Sequence, residues 1–272
     1  MSKKIIAMIP ARMGSKRIPR KNIRLLGGKP LVQYVVDAAK DSGVFDEIWV
    51  NSESDVLEEI ATKAGVKFYR RSPELCTDTV GSDVFVHDFV KNNPCDTIVQ
   101  ILPTSPFITA EQIAEFVTNS DSYDTYISVK KVQIESVFNG TPINFKTDKP
   151  TPPSQDLTPV MAYACSLMAW NTDTYVKNMR ELGNAYHGYN TNVGYYQIDG
   201  FASLDIDEEA DFQMAEAILR KISAPEAKAK YYDDVERYDA DRKRVLEEDG
   251  VFNNNMYNFN KEIASIAEIR EN

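Results

Sequence analysis

Short apolar runs alternate with segments of helical periodicity along the first half of the chain, and this alternation restricts the fold more than any other feature. The apolar runs predict strands at 4–9, 47–50, 67–69, 97–102 and 125–129. The segments between them predict helices at 30–42, 55–64, 82–91 and 109–119. A βαβ series of this kind predicts an α/β fold with a mostly parallel sheet and helices on both faces. Such sheets bind ligands at the carboxyl ends of their strands.

Capping residues mark several of the predicted helix boundaries. Thr109 followed by Gln112 predicts a capping box, and Asp55 followed by Glu58 predicts a second one. Gly65 predicts the end of the helix 55–64, because glycine adopts the left-handed C-cap conformation at little cost. These signals place the predicted loops, and with them the candidate ligand-binding segments.

The alternation stops at about 131–160, where prolines interrupt the pattern. This stretch predicts an inserted arm that serves as a lid or as a dimer contact. The pattern then resumes with a strand at 161–170, a helix at 172–182, a strand at 193–198 and a helix at 211–219. Beyond 221 the chain becomes highly charged. We therefore expect a main domain at 1–221 and a charged helical C-terminal extension at 222–272.

Charge and composition exclude several classes of function. The chain has 272 residues and a formal net charge of −10, which argues against general binding to nucleic acid or to anionic membranes. No stretch approaches the roughly 20 apolar residues of a membrane span, and the N-terminus resembles a strand rather than a signal peptide. The 3 cysteines lack CxxC spacing, which argues against a disulfide framework or a zinc site. A reducing cytoplasm is the expected location.

Positive charge is concentrated in the loop directly after the first predicted strand. The stretch MIPARMGSKRIPRKN at 8–22 carries its cations at Arg12, Lys16, Arg17, Arg20 and Lys21. Gly14 lets the backbone approach a ligand and adopt conformations closed to other residues, and loop N–H groups can converge on phosphate oxygens. Neither GxxxxGK[ST] nor GxGxxG is present. The loop predicts a polyphosphate site, and a solvated basic loop is the alternative.

A pair of carboxylates near the end of the predicted α/β region forms a second candidate site. Asp205 and Asp207 flank Ile206, and residues two apart in an extended segment point to the same side. Two carboxylates beside a polyphosphate are suitable ligands for Mg²⁺. The alternative interpretation is an acidic surface in which Asp207 caps the following helix.

Several motifs in register resemble those of the acylneuraminate cytidylyltransferases, also called CMP-sialic acid synthetases, and of relatives that activate legionaminic, pseudaminic and 3-deoxy-octulosonic acids. The motifs are IPARMGSKRIPRKNIRLLGGKPL (9–31), FDEIWVNSES (45–54), RRSPELCTDTVGSD (70–83), LPTSPF (102–107), SQDLTP (154–159) and SLDIDEEADFQMAEAIL (203–219). Their order and spacing match over about residues 3–220. The resemblance implies a Rossmann-like α/β domain that forms a homodimer through the inserted arm.

The resemblance also implies a reaction, in which CMP passes from CTP to a 2-keto-3-deoxy sugar acid and pyrophosphate is released with Mg²⁺ as cofactor. Contacts with the triphosphate are implied for Arg12, Lys16 and Lys21, within a nucleotide-binding loop that includes Ala11, Gly14 and Ser15. The implied cytidine contacts are Asn22, Arg71 and Ser82. The implied Mg²⁺ ligands are Asp205 and Asp207, of which Asp205 also helps to deprotonate the attacking hydroxyl.

Each cytidine contact has a structural alternative. Asn22 can be a turn residue, Arg71 can be a surface partner of Glu74, and Ser82 can cap the helix that follows it.

The acceptor half departs from the family pattern. Leu102 stands where the family has a glutamine before PTSP, and Gln100 lies two positions earlier. The family pattern near NGAIYI, often preceded by an arginine that meets the sugar carboxylate, is replaced by MAYACSLMAW at 161–170, and Ser154 stands where an arginine often precedes QDL. A lysine can replace the missing arginine, and the candidates are Lys130, Lys131 and Lys146. We expect a small acidic acceptor of the nonulosonic acid type. The alternatives are another acceptor, such as a phosphonate, or a nucleotide-binding module without acceptor chemistry.

Overall fold

A seven-stranded sheet forms the centre of the protein in the computed structural model, which describes residues 3–189 and 191–225. The strands in chain order are β1 (Ile5–Pro10), β2 (Leu25–Leu26), β3 (Lys29–Pro30), β4 (Glu47–Ser52), β5 (Lys67–Arg70), β6 (Thr97–Ile101), β7 (Thr125–Val132), β8 (Val137–Phe138), β9 (Thr141–Pro142), β10 (Val160–Asn171) and β11 (Val193–Gln197). Of these, β2 pairs with β3 and β8 with β9 in two short antiparallel pairs outside the seven-stranded sheet. The order in the sheet is β11-β7-β10-β6-β1-β4-β5. Only β10 runs antiparallel to its neighbours, so the predicted mostly parallel sheet is confirmed.

Helices cover both faces of the sheet, as predicted. The helices are α1 (Leu31–Ser42), α2 (Asp55–Ala64), α3 (Ser82–Asn92), α4 (Ala110–Ser120), α5 (Thr172–Leu182) and α6 (Glu209–Ser223). Along β1, Ala7 and Ile9 belong to the core shared with α1, α2 and α4, whereas Ile6 and Met8 belong to the core shared with α3 and α5. A strand with a core on each face must be apolar throughout, which explains the continuous apolar run at the N-terminus.

Most of the predicted boundaries lie within a few residues of the observed ones. The capping box of Thr109 and Gln112 is confirmed, and Gly65 ends α2 with a φ of 71°. The capping box expected at Asp55 is wrong, because Ser54 is the N-cap residue of α2 and no side chain caps that terminus. Helix α6 is longer than expected and spans Glu209–Ser223.

The predicted arm lies between two paired strands. The antiparallel pairing of β7 with β10 reaches Val132 and Val160, and residues 133–159 connect these ends. The connection contains the short hairpin of β8 and β9, and it exposes the apolar side chains of Ile134, Val137, Phe138 and Ile143. Its part in forming a dimer stays a prediction.

The predicted helical extension at 222–272 lies outside the described residues from 226 onward, and the division of the chain at 221 stays a prediction. Among the helices of residues 3–225 that are described, none is long and apolar enough to cross a membrane.

A bulge interrupts β10 next to the carboxyl end of β6. The register with β7 shifts between Tyr163 and Met168, and Cys165 in this stretch has a φ of 56°. The hydroxyl of Ser128 accepts a hydrogen bond from the amide of Leu167 at 2.9 Å, which replaces a lost ladder bond. Bulges redirect side chains beside functional sites. A non-glycine residue at positive φ carries backbone strain, so Cys165 is held there by the surrounding structure.

We therefore expect Cys165→Gly to be more stable than Cys165→Ala. Both variants lose the thiol, and only glycine relieves the positive φ, which is worth about 1 kcal/mol of unfolding free energy. Denaturant unfolding of the two variants measures this difference. Equal stability of the two would show that the bulge carries no strain at this residue.

Candidate active site

A cavity of about 440 Å³ lies at the carboxyl ends of β1 and β6. The residues predicted from the sequence that line this cavity are Arg12, Ser15, Lys16, Lys21, Asn22, Arg71 and Asp207. The other lining residues are Pro10, Arg17, Asp78, Phe85, Leu102, Pro103 and Thr104. The predicted residues that do not line it are Ala11, Gly14, Ser82 and Asp205. The loop after the first strand therefore lies where the βαβ pattern places a ligand site.

Hydrogen bonds to β4 and its following loop hold the basic loop in place. The amide of Ala11 donates to the carbonyl of Asn51 at 3.0 Å, and the amide of Met13 donates to the carboxylate of Glu53 at 2.9 Å. The side-chain amide of Asn22 donates to the carbonyl of Arg12 at 2.9 Å. Asn22 is thus more than a turn residue, because it fixes the loop and also lines the cavity.

The backbone φ angles of the basic loop differ from those expected, because the unusual conformation lies at Arg20 and not at Gly14. Gly14 does not adopt a positive φ, whereas Arg20, just before the 3-10 turn Lys21–Ile23, has a φ of 56°. A Cβ at Gly14 would meet only the Arg12 guanidinium, at 3.5 Å. The expectation that Gly14 supplies an unusual conformation is therefore wrong, and its contribution is limited to leaving space.

Alternate amides of the basic loop remain available to a ligand. The amides of Ala11, Met13 and Ser15 all donate within the protein. Those of Arg12, Gly14 and Lys16 have no acceptor among residues 3–189 and 191–225. Of these three residues, Arg12 and Lys16 line the cavity. Backbone N–H groups without a protein acceptor can donate to phosphate oxygens at such a site.

Two carboxylates form ion pairs with four cations of the cavity. Asp78 pairs with Arg12 and with Lys16, each at 2.6 Å. Asp207 pairs with Arg17 at 2.9 Å and with Lys21 at 3.2 Å. The Lys16 ammonium and the Arg12 guanidinium lower the pKa of the Asp78 carboxyl. A ligand with several negative charges therefore meets cations that already have partners.

Lys21 joins two segments that are far apart in the sequence. Its ammonium donates to the carbonyl of Ile206 at 2.6 Å and lies beside Asp207, and its side chain is only 12% exposed. Ile18 and Ile206 pack in one apolar cluster with Phe212 of α6. The basic loop and the acidic segment 203–208 are thereby fixed against each other.

Arg71 is buried and is not a surface partner of Glu74. Its Nε and Nη2 donate to the side chain and carbonyl of Asn51, both at 2.8 Å. The guanidinium lies 4.3 Å from the ring centroid of Phe85. Burial lowers its pKa from the usual value. A buried guanidinium with neutral partners has capacity for an anionic or polar ligand in the cavity.

Asp205 and Asp207 lie near each other but in different environments. Burial raises the pKa of the Asp205 carboxyl, and the Asp207 charge raises it further, whereas Thr104 and Lys21 lower it. Asp207 does not cap α6, because the Asp211 carboxylate accepts the amides of Asp207 and Glu208 at 3.0 and 2.7 Å. The alternative interpretation of Asp207 as a cap is therefore wrong.

The donor set fits a cation that is completed by its substrate. Within residues 3–225 that the structure describes, no group of three metal-binding side chains occurs. Two carboxylates suffice for Mg²⁺, which keeps several waters and takes further oxygens from substrate phosphates. Asp205 and Asp207 form such a pair, since Asp207 pairs with Lys21 of the basic loop and the Lys21 charge acts on Asp205.

Sequence reasoning missed three residues that shape the site: Asn51, Glu53 and Asp78. All three lie within motifs that the resemblance uses, but their roles depend on contacts with Arg71, Met13 and Arg12 that the sequence does not reveal. Ser82 begins α3 behind the N-cap residue Gly81, so it is not the cap residue.

Of the residues at which the sequence departs from the family pattern, one lies beside the cavity. Leu102 lines it, whereas Gln100 is fully buried, and its Oε1 has no partner among the described residues.

The family model for cytidylyltransferases matches residues 6–164 of this chain. The chain belongs to the cytidylyltransferase family. This confirms the family resemblance that the motifs predicted. The match covers the basic loop, Arg71, Ser82 and the strands β1, β4, β5, β6 and β7, which are the elements that form most of the cavity.

Curated members of the cytidylyltransferase family share parts of the sequence. N-acylneuraminate cytidylyltransferase A of Danio rerio is 32% identical over 228 residues, which are 79% of this chain and 50% of that protein. CMP-N,N'-diacetyllegionaminic acid synthase of Legionella pneumophila is 36% identical over 152 residues, which are 53% of this chain and 60% of that protein. The chain spans about half the length of the N-acylneuraminate cytidylyltransferases it matches.

Solved structures of cytidylyltransferases share the fold. The structure of a CMP:2-keto-3-deoxy-manno-octonic acid synthetase complexed with CTP matches with a TM-score of 0.64 at 16% identity, over 80% of this chain and 99% of that one. A cytidylyltransferase from Leptospira borgpetersenii matches with a TM-score of 0.55 at 19% identity, over 90% of this chain and 96% of that one. The predicted Rossmann-like fold is confirmed.

We expect Asn51→Ala to destabilise the protein by about 1–3 kcal/mol, because it leaves the buried Nε donor of Arg71 without its acceptor, whereas the backbone carbonyl that accepts from Nη2 is kept. Denaturant unfolding measures the change. Asn184→Ala, at an exposed position, is the control and should lie within about 0.5 kcal/mol of the wild type. A similar small effect for Asn51→Ala would show that Arg71 does not depend on this partner.

Proposed function

We propose that this chain transfers CMP from CTP to an acidic 2-keto-3-deoxy sugar of the nonulosonic acid type and releases pyrophosphate. The observation that carries the proposal is the cavity in which Arg12, Lys16 and Lys21 lie around one space with the buried Arg71 and with Asp207. A triphosphate is the ligand whose charge matches this set of cations, and a protein of the same fold is described in complex with CTP.

The nucleotide has a defined orientation in this proposal. Arg12, Lys16 and Lys21 bind the phosphates, together with the free amides of the basic loop. Asn22 and Arg71 bind the cytidine at the side of the cavity bounded by Phe85. This orientation directs the β- and γ-phosphates toward the exposed Lys16. Ser82 stays a proposed cytidine contact, although it lies outside the cavity lining.

Mg²⁺ is the proposed cofactor, held by Asp205 and Asp207. When bound, it supplies charge neutralisation for the triphosphate and the leaving pyrophosphate. Asp207 would hold the cation with the carboxylate that pairs with Arg17 and Lys21, and these two side chains would then be free to meet phosphate oxygens. Catalysis of this kind rests on positioning and electrostatic stabilisation rather than on a protein nucleophile.

The chemical step is an in-line displacement at the α-phosphorus. The anomeric hydroxyl of the acceptor forms a bond to this phosphorus, and the bond from phosphorus to the bridging oxygen of pyrophosphate breaks. The acceptance of the hydroxyl proton is assigned to Asp205, as the family resemblance implies, and burial raises the pKa of this carboxyl. Lys21 stabilises the negative charge that grows on the phosphate oxygens.

Lys130 is the proposed partner of the acceptor carboxylate. It lies at the end of β7 opposite Ala162 of β10, and its charge acts on Cys165 together with the charges of Asp205 and Asp207. Lys131 is adjacent on β7 and therefore faces the opposite side of the sheet. Because Leu102 lines the cavity where the family has a glutamine, transfer to a different acid, such as a phosphonate, is the second candidate function.

We further propose a homodimer in the cytoplasm. The exposed apolar side chains of the arm, which include Val137 and Phe138, support a contact with a second copy. Cys76, Cys95 and Cys165 are free thiols, which supports a reducing compartment.

The experiment that tests the proposal measures pyrophosphate release from CTP and Mg²⁺ across a panel of acceptors. The panel holds neuraminic, legionaminic, pseudaminic and octulosonic acids together with 2-aminoethylphosphonate. Release with one of the sugar acids supports the proposal and names the acceptor. Release only with the phosphonate supports the second candidate, and CTP binding without release from any acceptor favours a binding module.

We expect Lys21→Ala to lower turnover by roughly 100- to 1,000-fold, the loss typical of removing one preorganised charge-stabilising group. Lys63→Ala is the matched control, since Lys63 pairs only with Glu59 on the surface of α2. Circular dichroism checks that both variants fold. Near-normal turnover of Lys21→Ala would remove this residue from the mechanism.

We expect Asp207→Asn to raise the Mg²⁺ concentration for half-maximal activity by at least about 10-fold, since even the loss of an outer-shell partner of a metal ligand costs about 10- to 100-fold in metal affinity. Glu208→Gln, which removes a charge from the adjacent exposed residue, serves as the control. Titration of activity with Mg²⁺ at saturating CTP measures the effect. An unchanged Mg²⁺ requirement would show that Asp207 only pairs with Arg17 and Lys21.

A further inference from the structure

The loop between the 3-10 turn Pro73–Cys76 and α3 places a carboxylate on two cations of the cavity. Asp78 lies 2.6 Å from the guanidinium of Arg12 and 2.6 Å from the ammonium of Lys16. Both cations line the cavity, and both are proposed to bind the triphosphate. A carboxylate carries less negative charge than a phosphate group of a nucleotide but pairs with the same cations. Asp78 therefore takes the place of phosphate on Arg12 and Lys16 in the absence of nucleotide.

The exposed residues 77–79 of this loop are held mainly by those ion pairs, whereas Val80 packs against the core formed with α3. In the described part of the chain, the backbone of 77–80 makes no hydrogen bond to other backbone groups. The nearby anchors are a contact of 3.4 Å from Arg12 to the carbonyl of Cys76 and a hydrogen bond between the hydroxyls of Thr77 and Thr79. Segments with few buried contacts and few backbone hydrogen bonds open at low cost. Asp78 is therefore able to leave the cations without disturbing the sheet.

In the proposed function, the binding of a nucleotide changes the ion pairs of Asp78 and of Asp207 in different ways. The proposed function gives Asp207 a metal ion in exchange for Arg17 and Lys21. Asp78 gains no new cation in exchange, because its partners Arg12 and Lys16 are the two side chains proposed to bind the phosphates. Binding of the β- and γ-phosphates must therefore break both ion pairs of Asp78, and departure of pyrophosphate allows both to form again.

We propose that Asp78 is a displaceable counter-ion that competes with phosphate for Arg12 and Lys16 and thereby promotes the release of pyrophosphate. The inference rests on the proposed function, because it assigns these two cations to the leaving group. Ligands that reach both cations must displace the carboxylate. A ligand without phosphates, such as cytidine, leaves it in place, so the competition acts on the phosphate end alone.

The test compares binding of CTP, pyrophosphate and cytidine to the full chain by calorimetry. Asp78→Asn keeps the shape of the side chain and removes the competing charge. Since exposed ion pairs contribute little each, we expect CTP and pyrophosphate to bind about 2- to 10-fold more tightly, with cytidine unchanged. In turnover assays, pyrophosphate should inhibit this variant at a concentration lower by about the same factor.

Two variants serve as controls. Glu74→Gln removes an equal charge from the same region, and Glu74 is exposed and makes no ion pair among the described residues. All three ligands should bind this variant as they bind the wild type. Asp78→Glu keeps a carboxylate and should stay closer to the wild type than Asp78→Asn does.

The outcomes separate this inference from the function on which it rests. Wild-type protein that binds CTP and pyrophosphate, with equal or weaker binding by Asp78→Asn, would overturn the role of Asp78 and leave the proposed function intact. Equal gains in Asp78→Asn and Glu74→Gln would reduce the effect to general electrostatics and would also overturn it. Wild-type protein that binds neither ligand would overturn both.

Discussion

The contact of Lys21 with the Ile206 carbonyl and the Asp207 carboxylate holds the candidate site together. It joins segments 185 residues apart, one following the first strand and one preceding the last described helix. The apolar cluster of Ile18, Ile206 and Phe212 packs the same two segments against each other. Because the parallel sheet places the carboxyl ends of its central strands at one edge, this single junction brings the basic loop and the carboxylates to the same cavity.

Four of the cations that line the cavity are paired with carboxylates in the absence of a ligand. Asp78 and Asp207 each hold two cations, and Arg71 is buried against neutral groups. Paired charges limit the repulsion among cations that converge on one space. The same pairing lowers affinity for weakly charged anions, since only a ligand of high charge compensates for all the ion pairs it breaks. In the proposed function, selectivity for a triphosphate would then follow from the balance of charge as well as from shape.

The parts of the molecule that follow from local periodicity could be predicted from the sequence. The run IIAMIP requires a strand with two apolar faces, and Thr109 with Gln112 requires a helix start, so both were predicted correctly. The partners of Arg71 could not be predicted, because Asn51 is brought to it by the pairing of β4 with β5.

Backbone geometry was the least predictable feature of the site. Gly14 was expected to need an unusual φ, and the positive φ values near the site belong instead to Arg20 and Cys165. These conformations are imposed by tertiary contacts, such as the hydrogen bond of the Leu167 amide to Ser128, and no local residue preference reveals them.

The acceptor side differs from the nucleotide side in how its polar groups are placed. Gln100 lies opposite Met8 and Met168 inside the sheet core, with its amide nitrogen 4.0 Å from the Met168 sulfur, and so it does not reach the cavity. Leu102 presents an apolar surface instead. In the proposed function, an acceptor would meet an apolar side chain at this position where the family has a glutamine, which favours a substrate with a less polar substituent at that point. The residues proposed for the nucleotide are retained and those of the acceptor side are altered, which supports the proposal of cytidylyl transfer to a changed acceptor.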